Sequence, residues 1–191
     1  MPSPLAHSAM GYLIYRLADR RLRGAGKLKI ASLPMLLIAT LVFSLLPDLD
    51  SVAGILVGDF GGYHNNWTHS LMTGLAVAFL VGMAVWLKQR SGFLKWFMIP
   101  LLSYEAHVIM DFFTTGRGVM LLWPLSTDRF SSPLLLFYGL HWSEGLFSIK
   151  HLWTIATESI FVLLILVIVQ LIPRMSFIDR GQSRRKVETS N

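Results

Sequence analysis

The chain has 191 residues, of which 53% are hydrophobic and 15% charged, with no cysteine and a mean hydropathy of +0.55. That is a membrane composition on a length that suits one compact domain. The missing cysteines exclude disulfides and thiolate metal ligands, so any bound metal must rest on His and carboxylates. The net charge of +6 lies in basic residues placed beside apolar runs. Membrane orientation accounts for that placement, and no nucleic-acid partner is expected.

In chain order, Leu5 to Ala18 is an apolar segment with His7 near its start and Arg16 near its end. At 1.5 Å per residue it extends roughly 21 Å, short for a span, which fits an interfacial helix or, the reading favoured, a short, protein-buried crossing. No cleavable signal peptide is expected, because Met1 to Pro4 lacks a basic region and His7 interrupts the apolar stretch. A basic connector follows, with Arg16, Arg20, Arg21, Arg23, Lys27 and Lys29. Ile30 to Leu46 is the next apolar run and closes on Pro47-Asp48-Leu49-Asp50. Gly54 to Trp67 reads as a Gly-rich loop, after which Thr68 is expected to cap a span running to about Leu87. Trp96 to Phe113 forms a further span, and Thr114 to Lys150 is a long connection expected to hold short helices. Trp153 to Ile172 is the clearest span. Residues 1–173 thus read as one membrane-embedded helical domain, and 174–191 as a basic, disordered tail.

The distribution of Lys and Arg sets the expected topology. The 16–29 connector carries six, the 88–95 turn three and the tail five; the 47–69 loop carries none, and the 116–151 connection only Arg117, Arg129 and Lys150. The basic connectors and tail are therefore expected on the cytoplasmic side, and the Gly-rich loop outside. The fold expected is all-α, four or five membrane helices around a polar cavity at the outer end.

His107 and Asp111 are four apart and stack on one face of a helix, where an imidazole and a carboxylate can share a divalent ion. Ionisable groups at membrane depth cost about 2.5–3.5 kcal/mol each on insertion scales. A plain alternative exists for each, since an isolated His is often a satisfied polar contact and an Asp after Pro often forms a turn. Their convergence is harder to reach by accident. On this topology His7, Asp48, Asp50, His69, His107 and Asp111 all fall at one level, delivered by four segments.

These residues carry a resemblance. Leu46-Pro47-Asp48-Leu49-Asp50, then His64 with Trp67-Thr68-His69-Ser70, then His107 and Asp111, then Leu121-Leu122-Trp123-Pro124 resemble the bacterial YdjM-like family over residues 5 to about 133. That family is one of membrane-bound, metal-dependent hydrolases by prediction. The sequence departs from the pattern at Ser51, where a His is common, and at Asn65-Asn66, where Arg-Gly is common. The family is in turn similar to the all-helical, zinc-dependent phospholipase C and single-strand nuclease superfamily. That likeness implies metal ligands at His7, Asp48, His69, His107 and Asp111, with Asp111 shared between ions. It leaves His141 and Glu144, spaced three apart, without a matching ligand pair, so one or two ions are expected.

Such a site implies metal-activated water acting on a phosphoester, with a lipid entering from the bilayer as one candidate. Asp50 and His64 are the candidates for general base or orienting group. Zinc is the expected cofactor, though manganese and iron suit the same donors. Two other classes compete: a metal- or proton-translocating protein, and a non-catalytic protein whose His and Asp lock helices together.

Overall fold

A computed structural model describes residues 1–24, 33–140, 149 and 151–172. The fold is all-α, and no strand occurs among the described residues. Seven helices follow in order: α1 (Pro4–Gly24), α2 (Leu33–Leu45), α3 (Leu49–Val57), α4 (Phe60–Tyr63), α5 (Leu71–Gln89), α6 (Phe93–Phe112) and α7 (His151–Leu171). Among the described residues three stretches are long and apolar enough to cross a membrane, namely Leu33–Val57, Leu71–Gln89 and His151–Leu171. α1 and α6 match them in length and carry more ionisable groups.

Several boundaries differ from the sequence expectation, each for a local reason. α1 does not stop at Ala18 but continues through Arg20 and Arg21, since Arg is a good helix former and both side chains reach solvent. The Gly-rich segment is not a plain loop. The chain turns once through a 3₁₀ segment at Leu46–Asp48, with Pro47 in its first turn, and resumes helix as α3. Gly58, at φ 74°, then ends α3 in the left-handed conformation that glycine adopts without steric cost. Thr68 does not cap α5. Ser70 does, accepting a hydrogen bond from the Met72 amide at 3.2 Å, while Thr68 lies in a 3₁₀ turn over Trp67–His69. The described part of the 114–150 connection, residues 114–140 and 149, holds no helix but turns and two isolated bridges, Thr114 with Phe137 and Val119 with Phe130. His141, Glu144, Lys150 and the 174–191 tail lie outside the described residues, as do Lys27 and Lys29.

Lipid tails are as apolar as leucine, so helices in a bilayer associate through close packing of small residues rather than hydrophobic burial. The buried faces follow that rule. α5 buries Gly74, Ala78 and Gly82, spaced four apart, toward α6. α2 buries Leu36, Thr40 and Ser44 at the same spacing. Gly11 of α1 meets that stripe so closely that a Cβ there would lie 2.6 Å from the Ser44 hydroxyl. The opposite faces, including Leu75, Phe79 and Leu80 of α5 and Ile160, Leu163 and Leu164 of α7, stay exposed as a lipid-facing surface would.

One buried carboxylate binds the bundle to its first helix. Glu158 of α7 accepts the Ser3 amide at 2.7 Å and the Ser3 hydroxyl, holding the N-terminal turn of α1. His7 follows four residues later, so this contact fixes where α1 presents it. The Leu140 amide bonds to the Met1 carbonyl at 2.7 Å and the Thr154 hydroxyl to the Gly139 carbonyl at 2.6 Å, extending the same clamp.

Candidate metal centre

The ends of α1, α2, α5 and α6 meet at one end of the bundle. The first half of α1 brings His7, and the 3₁₀ break after α2 turns Asp48 inward. The turn before α5 brings His69, and the last turns of α6 bring His107 and Asp111. All seven residues expected at the site come together: these five, with Asp50 and His64 beside them. His7, His69, His107 and Asp111 have no side-chain exposure at all.

Hydrogen bonds fix which ring nitrogens face inward. The Ser44 backbone carbonyl, 2.8 Å from His107 Nδ1, can only accept, so Nδ1 carries a proton and Nε2 is the atom left to face the cluster. The Thr68 hydroxyl donates to Asp50 Oδ2 at 2.6 Å, and His69 Nδ1 lies 3.0 Å from that hydroxyl and 3.2 Å from Oδ2. His69 Nδ1 is therefore a donor too, and its Nε2 points the other way, into the cluster. The two Nε2 atoms lie 3.2 Å apart. Asp48 Oδ1 is 3.6 Å from His69 Nε2 and 3.5 Å from His107 Nε2, and Asp111 Oδ2 is 3.0 and 3.6 Å from the same atoms.

Asp48 Oδ1, His69 Nε2, His107 Nε2 and Asp111 Oδ2 thus converge, four atoms each able to offer a lone pair to a cation. Neither oxygen of Asp48 or Asp111 has a hydrogen-bond partner, nor does either nitrogen of His7, although all are buried. Acceptors gathered this way repel unless a cation lies between them. Four donors about 2.0–2.2 Å from one ion in a tetrahedron sit about 3.3–3.6 Å apart, close to the spacings here. Asp48, His69, His107 and Asp111 therefore form a group that could hold a metal ion. Without one, burial alone would lower the pKa of His69, but the carboxylates of Asp111, Asp48 and Asp50 beside it outweigh that and hold the imidazole well above its ordinary range.

His7 sits at the back of this group. Its ring stacks on His107 with centroids 3.6 Å apart, and its Nε2 is 3.6 Å from Asp111 Oδ1, the oxygen turned away from the other histidines. Asp111 thus shows one oxygen to each side. On the opposite flank Asp50 lies between two imidazoles, Oδ1 at 2.9 Å from His64 Nδ1 and Oδ2 against His69 Nδ1. Ser51 places its hydroxyl 2.8 Å from His64 Nδ1. Asp50, His64 and His69 make a second group of metal-capable donors.

Some contributors were not expected from the sequence. The Ser44 carbonyl has no side-chain signature. Tyr104 donates to the Thr68 carbonyl at 2.5 Å and steadies the turn bearing His69. Glu158 did have a signal, since a carboxylate inside a strongly apolar span is costly and marks a specific partner.

The geometry defines a helical membrane protein with a buried His/Asp cluster able to bind metal. The chain belongs to the YdjM inner membrane protein family, whose description matches residues 1–181. It is also similar to the inner membrane protein YbcI of Escherichia coli (strain K12), at 31% identity over 137 residues, covering 70% of this chain and 73% of that one. No solved structure matches it.

Proposed function

We propose that this protein is a metal-dependent hydrolase of phosphoesters, built into the inner membrane with its site open to the extracytoplasmic side. The observation that carries the reading is the convergence of the His69 and His107 Nε2 atoms, 3.2 Å apart, with the carboxylates of Asp48 and Asp111, whose oxygens have no hydrogen-bond partner. A structural lock between helices would satisfy those atoms with hydrogen bonds rather than orphan them. A translocation path would need polar residues through the bilayer, whereas Leu33–Leu45 and Leu71–Leu87 contain no ionisable residue.

Asp48, His69, His107 and Asp111 would hold the first divalent ion, most plausibly zinc. His7 with the far oxygen of Asp111 offers the start of a second position. When bound, such ions supply an acidified water and neutralise charge on a phosphoester. The chain's own part is to aim donors and to move a proton. Asp50 accepts from His64 Nδ1, which leaves His64 Nε2 as the basic nitrogen and suits His64 to take a proton from water. The same carboxylate, by accepting from His69, keeps the His69 lone pair turned inward. The exposed apolar residues of α3, among them Ile55 and Leu56, would place the site against lipid, so a lipid phosphoester is the substrate to try first.

Hydrolysis of phosphoesters in mixed micelles tests this reading. A chelator is expected to abolish the rate and added zinc or manganese to restore it, with soluble phosphoesters and single-stranded DNA as controls. A metal-loaded protein inert toward all of these, and toward a panel of esters and amides, would leave the ion structural. Orientation has its own test. A reporter fused after Gly62 is expected to read as extracytoplasmic and one after Gly92 as cytoplasmic; the reverse would place the site in the cytoplasm.

A further inference from the structure

We propose that Arg117, backed by Arg129, is the binding point for the phosphate group of the substrate at the open edge of the His/Asp cluster. The inference rests on the hydrolase reading for its biological meaning, but its geometry is separate from the metal donors.

The cluster has one open edge. Side-chain exposure is zero for His7, His69, His107 and Asp111, but 13% for Asp48, 8% for His64 and 6% for Asp50. Anything dissolved or in the bilayer therefore reaches the site past Asp48, Asp50 and His64. That edge is acidic, and an anionic substrate needs a cation there.

Two arginines are brought to it. Arg117 lies six residues beyond Asp111, and its guanidinium donates to the backbone carbonyl of His64. Arg129 donates to the carbonyls of Asn65 at 2.9 Å and Gly118 at 3.2 Å, and to the Asn66 side chain. They are near enough for the charge of Arg117 to disfavour that of Arg129. Of seventeen Lys and Arg residues, only Arg117, Arg129 and Lys150 fall in the two connections on this side of the bundle, and two of the three bond to the 64–66 loop.

Their donors are used differently. Arg129 gives its terminal nitrogens to three acceptors of the 64–66 and 118 backbone and side chains, so it holds the loop. Arg117 is exposed and is tethered at one nitrogen to a carbonyl. A guanidinium has five N–H donors in a planar fork matched to phosphate oxygens. The carboxylates of Asp50 and Asp59 favour the charge of Arg117, and the donors of its fork beyond the one bonded to the carbonyl can take a phosphate group at this edge. That phosphate could belong to a lipid headgroup or to a soluble phosphoester, and Trp67, Leu122 and Leu125, all exposed nearby in sequence, suit a lipid surface.

The test titrates inorganic phosphate into detergent-purified full-length protein by calorimetry, with metal content measured on the same samples. Arg117→Gln is expected to weaken phosphate binding about tenfold or more with metal content and melting temperature unchanged, and Arg117→Lys to recover part of it. Wild-type affinity in Arg117→Gln, or no binding of millimolar phosphate by wild type, would overturn the proposal. Phosphate binding that depends on Arg117 in a protein carrying no metal would sink the hydrolase reading and keep this subsite. A second arm adds phosphatidylglycerol or phosphatidylcholine to the micelles. Competition with phosphate in wild type, absent in Arg117→Gln, assigns the subsite to a lipid headgroup; phosphate binding without competition assigns it to a soluble phosphoester.

Discussion

Asp111→Ala is expected to lose nearly all bound metal and all measurable hydrolysis, the largest effect of any single change. Its carboxylate faces His69 and His107 with one oxygen and His7 with the other, so its removal disconnects both sides of the cluster. Loss of affinity should exceed the roughly 10–100-fold that follows from removing a group that only orients a ligand. His107→Ala should be nearly as severe, since it removes one inward Nε2 and the ring against which His7 stacks. Combining the two should add little, because either change already dismantles the unit. Stability reports the same event. At free zinc one hundred times the dissociation constant, wild type should gain about 2.7 kcal/mol, and Asp111→Ala almost none. Metal content by elemental analysis and thermal midpoints with and without chelator check this. A variant that keeps its metal would remove Asp111 from the donor set.

Asp50→Asn is expected to keep the metal and lose turnover about 10–100-fold. Asp50 accepts from His64 Nδ1, His69 Nδ1 and the Thr68 hydroxyl. An asparagine can accept on one side only, and its amide N–H would face a ring N–H on the other. One imidazole must then change tautomer. Where that is His64, Nε2 becomes protonated and can no longer take a proton from water. His64→Ala should show the same pattern, with metal retained and turnover lost. Initial rates set beside metal content decide it. If both variants shed metal in step with activity, Asp50 and His64 are ligands rather than proton-handling groups.

The helices and the seven clustered residues were legible in the sequence for one physical reason. His and Asp are costly within apolar runs, so each stood out, and the alternation of basic and non-basic connectors placed them at one level. The wiring between them was not legible. His107 is oriented by the Ser44 carbonyl, and a backbone acceptor leaves no trace in composition. Pro47 and the following glycines read as chain breakers, but a single 3₁₀ turn absorbs the proline and α3 resumes at once. Thr68 looked like a helix cap because threonine so often is one; here its hydroxyl is drawn to Asp50, a partner eighteen residues away, and Ser70 caps instead. Arg117 and Arg129 counted only toward topology, because their approach to the 64–66 loop depends on the course of the 114–137 segment.

Elemental analysis of the wild-type protein, purified in detergent without added metal, tests the central claim most directly. One or two divalent ions per chain, lost in Asp111→Ala and restored to stripped wild type with a rise in thermal midpoint, is the result expected. Wild-type protein that carries no metal and gains no stability from added zinc or manganese would contradict it.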